Sequence, residues 1–190
     1  MLPPALAAHV HAQRFKGCSA GQIYSNVAYV AAGLLGTALA STGPMALRRT
    51  DRIAARVVLL VVAYLVVGTG IVSIWYHRVG TDHSCPVALQ QSVGRVDVAC
   101  ACTTIVTGAG VLLPLAVVGI ARRPRAGPIL LVVVAGLLGV TAGAVHLRLV
   151  HHDAREQQPC MYDVGHAAWH VLGAASAALG FCAVFLALRP

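Results

Sequence analysis

Five stretches of this chain carry no Asp, Glu, Lys or Arg: residues 25–43, 57–76, 98–121, 129–147 and 164–188. A helix needs about 20 apolar residues to cross the hydrocarbon layer of a bilayer. In lipid, backbone polar groups must be satisfied within the segment, so runs of this kind are helices. The chain is therefore expected to be an all-α polytopic membrane protein, a bundle of about five transmembrane helices. It reads as a single membrane domain over 1–190, with an extramembrane segment at 1–23. Only 11% of residues are charged and mean hydropathy is +0.77, too apolar for a soluble domain of this length. Ala, Val, Leu and Gly supply the apolarity, which suits close packing of helices in lipid, and Gly33, Gly36, Gly136, Gly139, Gly143, Gly173 and Gly180 are expected at close helix contacts. Pro114 predicts a kink in the third span, and Gly127-Pro128 a helix start for the fourth.

Five spans put the two termini on opposite sides. One side then holds Arg48, Arg49, Arg52, Arg56, Arg122, Arg123, Arg125 and Arg189 against a single acid, Asp51. The other holds Arg14, Lys16, Arg78, Arg95, Arg148 and Arg155, with Asp82, Asp97, Asp153, Glu156 and Asp163. Basic residues favour the cytoplasmic side. The N-terminus is expected outside and the C-terminus in the cytoplasm. A net charge of +8 on a soluble chain would suggest nucleic acid. Here the arginines flank apolar runs, so topology and headgroups account for them, and no nucleic-acid partner is expected. The first 16 residues lack a basic stretch followed by an apolar one, so the first span is expected to act as the insertion signal.

Ionisable residues at membrane helices are costly and mark candidate sites. Ser73 and His77 close the second span and share one helical face. Asp97 precedes the third span, with Cys100 one turn on. His166 and His170 form an H-x-x-x-H pair on the fifth, a spacing that lets two imidazoles bind one metal ion. The topology, set by apolar runs alone, brings all of these to one side of the membrane. Three imidazoles and a water make a zinc site with an open position. Asp97 is placed to take a proton and Ser73 to hydrogen-bond a developing oxyanion. Asp82 is an alternative acid and Cys100 a rival ligand. His146, His151 and His152 read as loop and interface residues, His83 as a loop residue, and His9 and His11 as solvated ones. Trp75 and Tyr76 fit an interfacial belt, while Trp169 fits either the belt or a cavity wall.

The ordered set S-I-W-Y-H at Ser73–His77, then Asp97, then H-A-A-W-H at His166–His170 resembles the superfamily of alkaline ceramidases, adiponectin/progestin receptors and Per1-like proteins. Its alkaline ceramidase branch is the nearest. The segment Y-S-N-V-A-Y-V-A-A-G-L from Tyr24 looks like the first helix of bacterial members. The resemblance implies a Zn2+ cofactor on His77, His166 and His170, with Asp97 and Ser73 as the catalytic groups beside it. It implies hydrolysis of an amide or ester in a lipid substrate, with ceramide or another N-acyl or O-acyl lipid as partner. It also implies sphingolipid or related lipid metabolism in a bacterial plasma membrane; the topology read from the basic residues puts the zinc site towards the extracytoplasmic side. A Cys18–Cys160 disulfide is implied by the same likeness, with Cys85 a competing partner. Members commonly have seven spans where this chain has five, and their His-to-Asp spacing is shorter. The acidic residues that bind calcium before the first helix in eukaryotic ceramidases have no counterpart here, so no such calcium site is expected. The alternative function is a non-hydrolytic receptor, lipid- or metal-binding protein or transporter with a structural zinc. Histidine-ligated haem is a third reading, but an i,i+4 pair suits one small ion better than two opposed axial positions.

Overall fold

A computed structural model describes residues 19–81, 84–151 and 159–190 of the chain. Among the described residues there are five helices: α1 (Ser19–Thr42), α2 (Arg49–Thr81), α3 (Val87–Arg122), α4 (Ala126–His151) and α5 (Pro159–Leu188). All five are long and apolar enough to cross a membrane. They exceed the apolar runs at their ends. At about 1.5 Å per residue, the 33 residues of α2 and 36 of α3 reach about 50 Å, against a hydrocarbon layer of about 30 Å. Charged residues such as Arg56 and Arg95 end an apolar run without ending a helix. Asp97 consequently lies well inside α3 rather than before it. Pro114 lies within continuous helix, and Pro128 sits in the first turn of α4 as the Gly-Pro pair predicts.

The outside of the bundle is apolar. Val106, Leu130 and Val140 are among many large aliphatic residues left exposed. On a soluble protein such a surface would drive aggregation; on a membrane bundle it faces lipid. The inside is built from stripes at helical spacing. On α2 the stripe runs Ala55, Leu59, Val62, Val66, Thr69, Ser73, His77, and on α5 it runs His170, Ala174, Phe181, Val184. Small residues let the backbones approach. A Cβ on Gly33 would lie 2.7 Å from the Ala63 carbonyl oxygen of α2, so this crossing tolerates no side chain. Gly139 touches Ser176, whereas Gly136 and Gly143, also expected at helix contacts, face open space.

α5 is the hub, packing on α4, α1 and α3; α2 packs on α1 and α3. Polar side chains tie neighbours together at two points. Thr69 and Thr104 share a hydrogen bond of 2.7 Å between α2 and α3. Ser176 donates to the Ala135 carbonyl of α4 at 2.7 Å. Each such bond inside a membrane contributes about 1 kcal/mol. At one end, the Ala46 amide donates to the Leu188 carbonyl at 2.6 Å, fixing the α1–α2 connection against the end of α5. The histidine-bearing ends of α2, α4 and α5 meet at the other.

Candidate metal centre

The chemistry-bearing residues continue the buried stripes. On α2, the positions that pack inward as Val62 and Val66 become Ser73 and His77 towards the helix end. On α5, Ala174 and Phe181 give way to His170 and His166. Helical periodicity alone therefore aims three imidazoles into the same gap. The ligand atoms of His77, His166 and His170 all lie within 4.8 Å of one another, and the three residues could hold a metal ion. The rings meet edge to face, His77–His166 at 5.0 Å, His77–His170 at 5.7 Å and His166–His170 at 4.6 Å between centroids.

Two features test whether a metal fits. His77 Nε2 and His166 Nε2 are 3.3 Å apart. Two nitrogens about 2.0–2.1 Å from one tetrahedral ion stand about 3.3–3.4 Å apart. A hydrogen bond between the rings accounts for that pair equally well. It does nothing for His170, whose residue is 3% exposed and whose two ring nitrogens are both buried without a partner among the described residues. Buried polar atoms are nearly always paired, and leaving one unpaired costs about 1–3 kcal/mol. An imidazole nitrogen offering its lone pair to a cation is a direct way to satisfy it.

Beside the triad, a cleft is lined by Tyr29, Ser73, Asp97, Ala101, Ile105 and His170, among others. Ser73 and Asp97 therefore reach the same space as one of the three histidines, although Asp97 is not among the grouped ligand atoms. Asp97 is half-buried and close to Ser73. The contact falls short of good hydrogen-bond geometry, and Ser73 Oγ is buried without a partner. Cys100, the rival ligand, stays out of the cluster; its carbonyl instead accepts from Thr69 at 3.3 Å. Asp82, His83 and the Cys18–Cys160 pairing lie outside the described residues.

Two aromatic residues gain roles here. Trp169 lines the cleft, which decides between belt and cavity wall. Its ring lies 4.2 Å from that of His146 and 4.7 Å from that of His170, tilted by only 30° and 32°. His146, read from sequence as an interface residue, is instead packed in the bundle against Trp169. The signal was present: Ala135, Gly139 and Ala142 form the face of α4 towards α5, and His146 is the next position on that face. Tyr29 of α1, which carried no expectation, meets His170 edge-on at 5.9 Å. Comparison with known proteins adds nothing to this picture: no family model, no curated protein and no solved structure matches the chain.

Proposed function

We propose that the protein is a zinc-dependent membrane hydrolase that cleaves an amide or ester bond in a lipid. The observation that carries the metal is His170, buried with both ring nitrogens unpartnered next to two further imidazoles. The hydrolytic reading draws on the resemblance of Ser73–His77, Asp97 and His166–His170 to the ceramidase superfamily. His77, His166 and His170 would hold the ion. Zinc bound by three imidazoles supplies Lewis acidity towards a carbonyl and lowers the pKa of a water to near ~7.

The remaining work falls to side chains of the cleft. An Asp97 carboxylate oxygen takes the proton of the attacking water and later returns it to the leaving amine or alcohol. The Ser73 hydroxyl, with no partner of its own, donates to the oxygen where negative charge develops. Ala101 and Ile105 give the cleft an apolar wall, against which an acyl chain excludes bulk water. The products are a fatty acid and an amine or alcohol. In this reading the N-terminus faces outside, the C-terminus the cytoplasm, and the site the extracytoplasmic leaflet.

The test is hydrolysis of a panel of N-acyl and O-acyl lipids, ceramide included, by purified protein with and without chelator. Turnover that disappears with zinc and in His170→Ala supports the reading. Turnover that persists without zinc contradicts it, and zinc bound with no turnover of any lipid points to the non-hydrolytic alternative.

A further inference from the structure

The opposite end of the bundle carries a second polar feature, independent of the histidines. Some of its arginines are engaged by backbone carbonyls. Arg52 donates to Leu47 at 3.0 Å, Arg56 Nη2 to Gly43 at 3.0 Å and Arg125 to Pro190 at 3.2 Å. Such contacts at helix ends are the ordinary use of arginine. Arg122, Arg123 and Arg189 differ. Among the described residues their guanidinium groups enter no hydrogen bond or ion pair, and all three line one cleft between the ends of α3 and α5 and the α1–α2 connection.

The cleft is built rather than incidental. The Ala46 amide is bonded to Leu188, and Gly119 lies so close to α5 that a Cβ there would be 2.9 Å from the Ala187 carbonyl oxygen. The carbonyl of Gly119 is already capped by the Arg123 amide at 3.1 Å, so the guanidinium is not needed for it. Asp51, the acid at this end, is not part of the cleft. Three exposed arginines thus border one cleft, and no acidic side chain is among its lining residues.

We propose that this cleft binds the phosphate of an anionic membrane phospholipid. Guanidinium forks match phosphate oxygens in pairs. The walls formed by Leu47, Ala187 and Leu188 are apolar. Ala187 and Leu188 are buried and form its floor, while Leu47 keeps part of its surface open at the rim, where the first carbons of a lipid chain would lie. The cleft lies where the spanning helices end, the depth at which headgroup phosphates sit.

The test is native mass spectrometry of the full chain in detergent, titrated with phosphatidylglycerol, phosphatidylcholine, glycerol phosphate and inorganic phosphate. Phosphatidylglycerol is expected to bind at least tenfold more tightly than the other three. Each arginine removed from the cleft weakens it about fivefold, so R122Q/R123Q/R189Q loses roughly a hundredfold. R48Q/R49Q removes two charges from the same end but none from the cleft, and loses less than about threefold. The single variant R123Q, with its smaller fivefold loss, serves if the triple variant is poorly folded. Equal losses per charge in the two sets would overturn the cleft in favour of general surface charge. Glycerol phosphate or inorganic phosphate binding as tightly as phosphatidylglycerol would overturn the lipid.

Discussion

At the histidine end, the protein buries polar atoms and leaves them without protein partners: Ser73 Oγ and both ring nitrogens of His170. At the arginine end most charged groups sit at the surface and Arg52, Arg56 and Arg125 reach carbonyl oxygens; the one buried unpartnered atom there among the described residues, Arg56 Nε, belongs to a guanidinium that already donates through Nη2 to Gly43. Both ends interrupt an apolar bundle, but they do so under different physical terms. An exposed arginine at a helix end costs little, because headgroups and water solvate it. A buried imidazole without a partner costs stability in the protein alone. The contrast teaches where to look for a ligand. The energetic anomaly, more than the density of charge, separates a candidate centre from ordinary membrane anchoring.

The largest test of that contrast is at His170. His170→Ala should lose metal binding by more than about a hundredfold, measured by competition with a chelator of known affinity. His170→Leu should lose the metal equally. It should also melt higher than the metal-free parent, because it removes two unpaired polar atoms costing about 1–3 kcal/mol each. A metal-free parent more stable than His170→Leu would show that His170 is a satisfied packing residue. Protons compete with metal for imidazole nitrogen. The metal-dependent rise in melting temperature should therefore be present at neutral pH and shrink as pH falls.

Asp97→Asn should separate binding from chemistry. Metal affinity should stay within about threefold of the parent, while lipid turnover falls about a hundredfold or more. Loss of both together would place Asp97 among the ligands. Trp169→Ala comes next. Removing the ring between His146 and His170 should weaken metal binding about tenfold, as loss of a group that orients a ligand does. Trp169→Phe should recover most of it, and the cobalt-substituted protein should show an altered visible spectrum only for the alanine variant. The smallest effect belongs to the arginine end. Arg56→Ala removes one bond to the Gly43 carbonyl and should lower stability by about 1 kcal/mol in a denaturation curve, with metal content unchanged.

These outcomes bear on what the sequence makes legible. The five helices are readable because charge-free length is a direct physical requirement of crossing lipid. The meeting of His77, His166 and His170 is readable because two spacings, S-x-x-x-H and H-x-x-x-H, each fix a helical face, and span count fixes the membrane side. Helix extents are less so. Arg56 and Arg95 look like boundaries in hydropathy, yet a helix continues past them into the headgroup zone. His146 was misplaced for a related reason: its position near a helix end suggested interface, but its face, shared with Ala135 and Ala142, points at α5. Gly136 and Gly143 carry the opposite error, since a small residue permits close packing without requiring it. Tyr29 lies in the segment that resembles a family first helix, but nothing in that segment marks it as a neighbour of His170. Its contact with His170 depends on how α1 packs on α5, which no local pattern encodes.

The most direct test of the central claim is the metal content of the purified protein. Wild-type chain, loaded with zinc and washed with weak chelator, should retain one zinc ion per chain by elemental analysis, and His77→Ala, His166→Ala and His170→Ala should each retain close to none. Zinc absent from the loaded wild type, or retained in full by the three variants, would contradict a metal centre on these histidines.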